Sequence, residues 1–173
     1  PHTIEGGLLI LLLSAVWKCQ AYPWELRGCD PQHPSRPEGY HGPRYIEERV
    51  LFVLTDLETN KMLGKGMAVC PGRRYTISVT FPQDRHALLT TNVGSFEAAD
   101  WLFPQCPQRY SIPTFSDGFD NVLAVPSDAT GDLFLQLTCA ERFTGYGYQT
   151  ATLPISQAAC APNPPNQPAH PPP

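Results

Sequence analysis

Residues 75–81 place Tyr75, Ile77, Val79 and Phe81 in alternation with Thr76, Ser78 and Thr80. A period of two with one apolar and one hydroxylated face is the pattern of a half-buried antiparallel strand. Pro71-Gly72 ahead of it supplies turn geometry, and Pro82 is expected to end it by withholding a ladder donor. A second β-prone run, 87–93, follows a short polar connection. Two such strands cannot bury their own apolar face, so the chain must build a sheet around them.

The remaining segments supply that sheet. Residues 49–57 form a run too apolar on both faces to lie at an edge, and 60–66 a turn or loop. Residues 97–107 carry Trp101, Phe103 and Cys106 and cross between sheets; 111–119 is short and broken by Pro113 and Gly118, and 121–125 is a further strand. After a turn at 128–132, Leu133, Leu135, Leu137 and Cys139 face one way, with Phe134, Gln136 and Thr138 opposite. Residues 147–155 close the series. Only 16% of residues are charged against 20 prolines and 13 glycines, a balance that disfavours long solvent-facing helices. The expectation is an all-β, immunoglobulin-like antiparallel β-sandwich of seven or eight strands. At 173 residues the chain is long enough for one such domain with a real core.

Six cysteines, Cys19, Cys29, Cys70, Cys106, Cys139 and Cys160, are widely spread with no C-x-x-C pair, which favours three disulfides in an extracellular compartment over zinc. A net charge of −4 with scattered Lys and Arg argues against nucleic acid. No N-x-[ST] sequon occurs.

The ends differ from the middle. Residues 6–17, GGLLILLLSAVW, are apolar. One reading is a leader spanning 1–21, with Ala21 as the small residue at its cleavage point, although no Lys or Arg precedes the run. A membrane span is not expected, because about ten apolar residues make a helix of only ~15 Å. The favoured reading is an assembly segment: Leu8, Leu9, Ile10, Leu11, Leu12, Leu13, Val16 and Trp17 dock into a neighbouring copy, as an added strand or a packed helix. Glu5 ahead of the run resembles the N-terminus of type IV pilins, whose run is longer. Residues 22–48 read as an extended, disulfide-anchored lead-in, with Tyr22 and Trp24 placed to cover a sheet end. The sandwich occupies 49–156. The tail 157–173 ends in APNPPNQPAHPPP, a polyproline II composition. It resembles hydroxyproline-rich wall glycoproteins, which implies O-linked sugars on Pro162, Pro164, Pro165, Pro168, Pro171 and Pro172.

Cys29-Asp30-Pro31, Gly39-Tyr40, Pro71-Gly72-Arg73-Arg74-Tyr75 with Ile77 and Val79, Gly94-Ser95-Phe96, Cys106-Pro107, and Val125-Pro126 with Gly131 before Leu133-Phe134-Leu135 stand in one order. Together they resemble the Reeler domain, the immunoglobulin-like module of reelin and spondin proteins. Residues 88–91 depart from its aromatic-glycine pair, and the tryptophan before its A-P step is missing. The resemblance implies a Cys29–Cys106 bond. Cys70–Cys139 and Cys19–Cys160 are then the expected remaining pairs.

Catalytic motifs are absent: no G-x-S-x-G, H-E-x-x-H, Walker loop or dinucleotide fingerprint occurs. No enzyme activity, metal or cofactor is expected. Residues 117–121 and 128–132 have the oxygen ligands of a Ca²⁺ loop but also ordinary turn composition. His41 and His86 read as surface residues, Glu47 and Glu48 as solvated charges. Phe143, Tyr146 and Tyr148 read as strand packing rather than a sugar-stacking platform. The function expected is a self-assembling structural subunit of an extracellular filament or matrix, with itself and covalent glycans as partners. The alternative is a monomeric secreted Reeler-like binding module.

Overall fold

In the computed structural model the described residues are 28–29, 45–64, 66–141 and 147–161. They form eight strands: β1 (Tyr45–Ile46), β2 (Leu51–Asp56), β3 (Met62–Leu63), β4 (Arg74–Thr91), β5 (Ser95–Phe96), β6 (Arg109–Ala124), β7 (Asp132–Ala140) and β8 (Gly147–Pro154). A short 3-10 turn, Gln157–Cys160, follows. The described residues are all-β and disulfide-bonded.

β4 organises the rest. It pairs with β6 along most of its length, while its first half also pairs with β2 and its second half with β7. The order β1-β8-β7-β4-β2-β3 is therefore one continuous sheet, with β6 on the other side of β4 and β5 beyond it. The ladder between β4 and β6 breaks between Thr80 and Arg85 and again before Ala87. Such irregularities bend a sheet, and here the two halves curl over one core. Val50, Leu54, Ile77 and Val79 from one half share a cluster with Leu89, Leu133, Leu135, Leu137 and Leu153 from the other. The sheet is mixed, because β1 runs parallel to β8.

Alternation works as read: Tyr75, Ile77, Val79 and Phe81 are buried while Thr80 is exposed. Leu133, Leu135, Leu137 and Cys139 face the core, whereas Phe134 is 37% exposed. Three expectations are corrected. Pro82 does not end its strand, because its missing donor falls where the β6 ladder is already broken. For the same reason 111–119 and 121–125 are one strand, with Pro113 in the irregular stretch. There Gly118 lies so close to β4 that a Cβ would sit 2.4 Å from the Val79 carbonyl oxygen, so only glycine fits. Finally, β2 is nearly an edge: β3 covers only Leu54 and Thr55, and Leu51 is 64% exposed.

Candidate functional site

Charged groups taken into the fold are spent on one another. Glu47, expected in solvent, is buried. Its carboxylate meets Arg85 Nη2 at 2.8 Å and Arg49 Nε at 3.1 Å, while Arg85 Nη1 donates to the Tyr45 hydroxyl at 3.1 Å. Burial by itself would raise the Glu47 pKa. The hydrogen bond from Arg49 and the charge of Arg85 outweigh it and hold the carboxyl below its ordinary range. Arg109 and Asp100 form a second pair at 3.2 Å with neither side chain exposed. Asp56 binds Arg73 Nη1 at 2.7 Å and accepts from the Glu58 and Thr59 amides, fixing the turn after β2. Arg73 also donates to the Cys160 carbonyl at 2.9 Å, tying that turn to the end of the described chain.

The cysteines pair differently from the expectation in one respect. Cys29 and Cys106 are bonded. Cys70 is bonded to Cys160, not to Cys139, which is a free buried thiol. Position explains this. Cys70 precedes β4 and is held there by the Tyr75 hydroxyl, which accepts from the Cys70 amide at 2.7 Å. Cys139 lies opposite Ala87 near the far end of β4, whereas a disulfide needs Cα atoms within about 7 Å. The Cys70–Cys160 bond also rules out Cys19–Cys160; Cys19 itself lies outside the described residues.

Cys139 sits behind Gly147, where a Cβ would come within 3.2 Å of its sulfur and 3.1 Å of the Glu47 Cβ. Burial pushes its thiol up to about 12, so no thiolate forms at neutral pH. Two results are therefore expected with a thiol reagent in the absence of reductant. The folded chain hides Cys139 from the reagent, and unfolding in denaturant exposes it. Prompt reaction of Cys139 in the folded state would contradict its placement.

The residues singled out from sequence are not brought together. His86 is buried against Phe115, ring centroids 3.9 Å apart, rather than on the surface. Residues 117–121 lie inside β6, so they are not a loop; Asn121 Oδ1 accepts from the Ala98 amide at 3.2 Å. Among the described residues no three His, Cys, Asp or Glu are placed to hold a metal ion, and no helix is long and apolar enough to cross a membrane. Tyr22, Trp24, His41, Phe143, Tyr146, the assembly residues 8–13, 16 and 17, and the prolines of the tail lie outside the described residues.

What stays open is an edge. β8 pairs with β7 along its whole length, but on its other side β1 covers only Gly147 and Tyr148. Beyond the gap, Val69 bridges to Ile155. Facing the uncovered stretch is a cleft of about 330 Å³ between β8 and the β2–β3 edge. Phe52, Leu54, Leu63, Ala151 and Leu153 line it together with Thr150, Thr152 and two glycines. Edge strands are commonly blunted by charge, yet β8 carries none over Gly147–Pro154.

No protein-family model matches the chain, and no curated protein matches it. Solved structures do. Two crystal structures of the human F-spondin reeler domain are 18% and 20% identical, with TM-scores of 0.48 and 0.44. They cover 65% and 67% of this chain and 91% and 93% of their own. The Reelin-N domain of F-spondin is 19% identical with a TM-score of 0.45, over 67% of this chain and 91% of that one. The chain is similar to reeler domains.

The buried pairs and the open edge were not found in the sequence. Glu47 and Arg85 are far apart in the chain. The one usable signal for the pair is an arginine two residues ahead of the β-prone run 87–93.

Proposed function

We propose that this chain is a secreted, disulfide-stapled module that works by binding rather than by catalysis, and that it binds through the open side of β8. The observation that carries this is the combination at that edge: an uncharged strand left open on one side over 149–153, opposite a cleft partly lined by apolar side chains. Backbone addition to such an edge gives affinity through main-chain hydrogen bonds and specificity through side-chain pockets. The buried ionisable groups Glu47, Arg85, Asp100, Arg109, Asp56 and Arg73 are engaged with one another.

In its finer form the reading makes the chain a structural subunit of an extracellular assembly. The apolar run 8–17 of one copy docks on the next, and the proline tail carries sugars. Leu9→Asp and Leu12→Asp are then expected to abolish polymerisation, read by light scattering, and to leave a folded monomer. Polymers that persist in both variants would sink the assembly reading. A second reading has its own support. With Cys29, Cys106, Cys70 and Cys160 bonded and Cys139 in the core, Cys19 has no partner among the described residues. Loss of 1–21 as a leader would remove that odd cysteine and leave a monomeric binding module.

A further inference from the structure

The backbone of β8 shows which groups await a partner. The Tyr148 carbonyl accepts from the Glu47 amide at 2.9 Å and the Pro154 carbonyl from the Val69 amide at 2.8 Å, both on the side away from β7. In a strand the N–H and C=O of one residue point the same way and successive residues alternate. Thr150 and Thr152 therefore aim their backbone groups at the open side, where no described residue pairs with them. The uncovered stretch 149–153 is about 17 Å long at ~3.4 Å per residue.

We propose that this edge takes the apolar run 8–16 of this chain as an added strand, hydrogen-bonded to Thr150 and Thr152, with alternate side chains filling the cleft over Phe52, Leu54 and Leu153. The proposal rests on the binding reading above and names its occupant. Chemistry fits first. The run 6–17 is uncharged, as is β8, and long enough to span the five-residue gap. Reach fits as well. The Gly28 carbonyl accepts from Arg109 Nη1 at 3.1 Å, which places Gly28 beside the start of β6. Arg109 lies opposite Thr90, Thr90 opposite Gln136, and Gln136 opposite Thr150. A strand added outside β8 is thus four spacings from Arg109, about 19 Å at ~4.8 Å each. The twelve residues 16–27 span up to ~40 Å. The same run reaches its own edge, or that of a neighbour by exchange.

The test is residue-resolved amide exchange on the full secreted chain, with light scattering on the same sample. Thr150 and Thr152 are expected to exchange more than about a hundredfold slower than unpaired amides. In Ile10→Asp that protection is lost, while the amides of Leu133 and Leu135 keep theirs and report an intact core. Thr152→Pro removes an edge donor and no β7 bond, and releases the run in the same way. Protection in a monomer supports the added strand and removes the assembly reading; protection in a multimer supports both. A multimer that persists in Thr152→Pro overturns the added strand and leaves assembly standing. A secreted chain beginning beyond residue 21 overturns it too.

Discussion

Replacing Asp100 with alanine should lower the unfolding free energy by about 3–5 kcal/mol, the usual cost of leaving one half of a buried ion pair uncompensated. Neither Asp100 nor Arg109 has exposed side-chain surface. Asp100 does more than neutralise. Its Oδ1 accepts from the amides of Leu102 at 3.0 Å and Phe103 at 2.8 Å, and its Oδ2 receives Arg109 Nε. The guanidinium lies 4.4 Å from the centroid of the Phe103 ring. Burial draws the Arg109 pKa below its ordinary value, and Asp100 is the charge that opposes this. Without it, a cation remains in the interior and two loop amides lose their acceptor. Urea unfolding of Asp100→Ala, followed by tryptophan fluorescence, reads the cost. Asp100→Ala combined with Arg109→Met should recover part of it, because the unpaired charge is then gone. A loss below about 1 kcal/mol in the single variant would mean that water reaches the pair.

The second large effect belongs to the Cys70–Cys160 disulfide. Its two cysteines are 90 residues apart in sequence. On the chain-entropy account a loop of that size contributes about 4–5 kcal/mol, an amount that strain or residual structure in the unfolded chain reduces. The bond also holds the 3-10 turn Gln157–Cys160, whose carbonyl end receives Arg73. Replacing both cysteines by serine is expected to shift the urea midpoint strongly downward. Cys139→Ala, which breaks no cross-link, should shift it less. Equal shifts would show that the staple contributes no more than the packing of the core thiol.

These two variants mark where the sequence was legible. Alternation at 75–81 and 133–139 could be read because one face of each strand meets a shared core and the other does not. Cys139 falls on the inward face of its own alternation, and that placement put it in the core beside Gly147 rather than beside Cys70. What alternation cannot report is long-range pairing. Glu47 looks like a solvated charge until the fold brings Arg85 to it, and Asp100 like a loop residue until Arg109 closes on it. By its chemistry Pro82 reads as a strand end and Pro113 as a break, yet both sit where the β4–β6 ladder bends and asks for no donor. The open edge of β8 was illegible for a related reason: a strand's outer neighbour is a property of the sheet, not of the strand.

Imaging the native secreted material by negative-stain electron microscopy, with intact mass on the same sample, tests the assembly account most directly. The account predicts regular assemblies whose subunit retains residues 8–17 and exceeds the 19.1 kDa of the polypeptide by the mass of its sugars. Isolated particles of an unmodified chain that begins beyond residue 21 would contradict it.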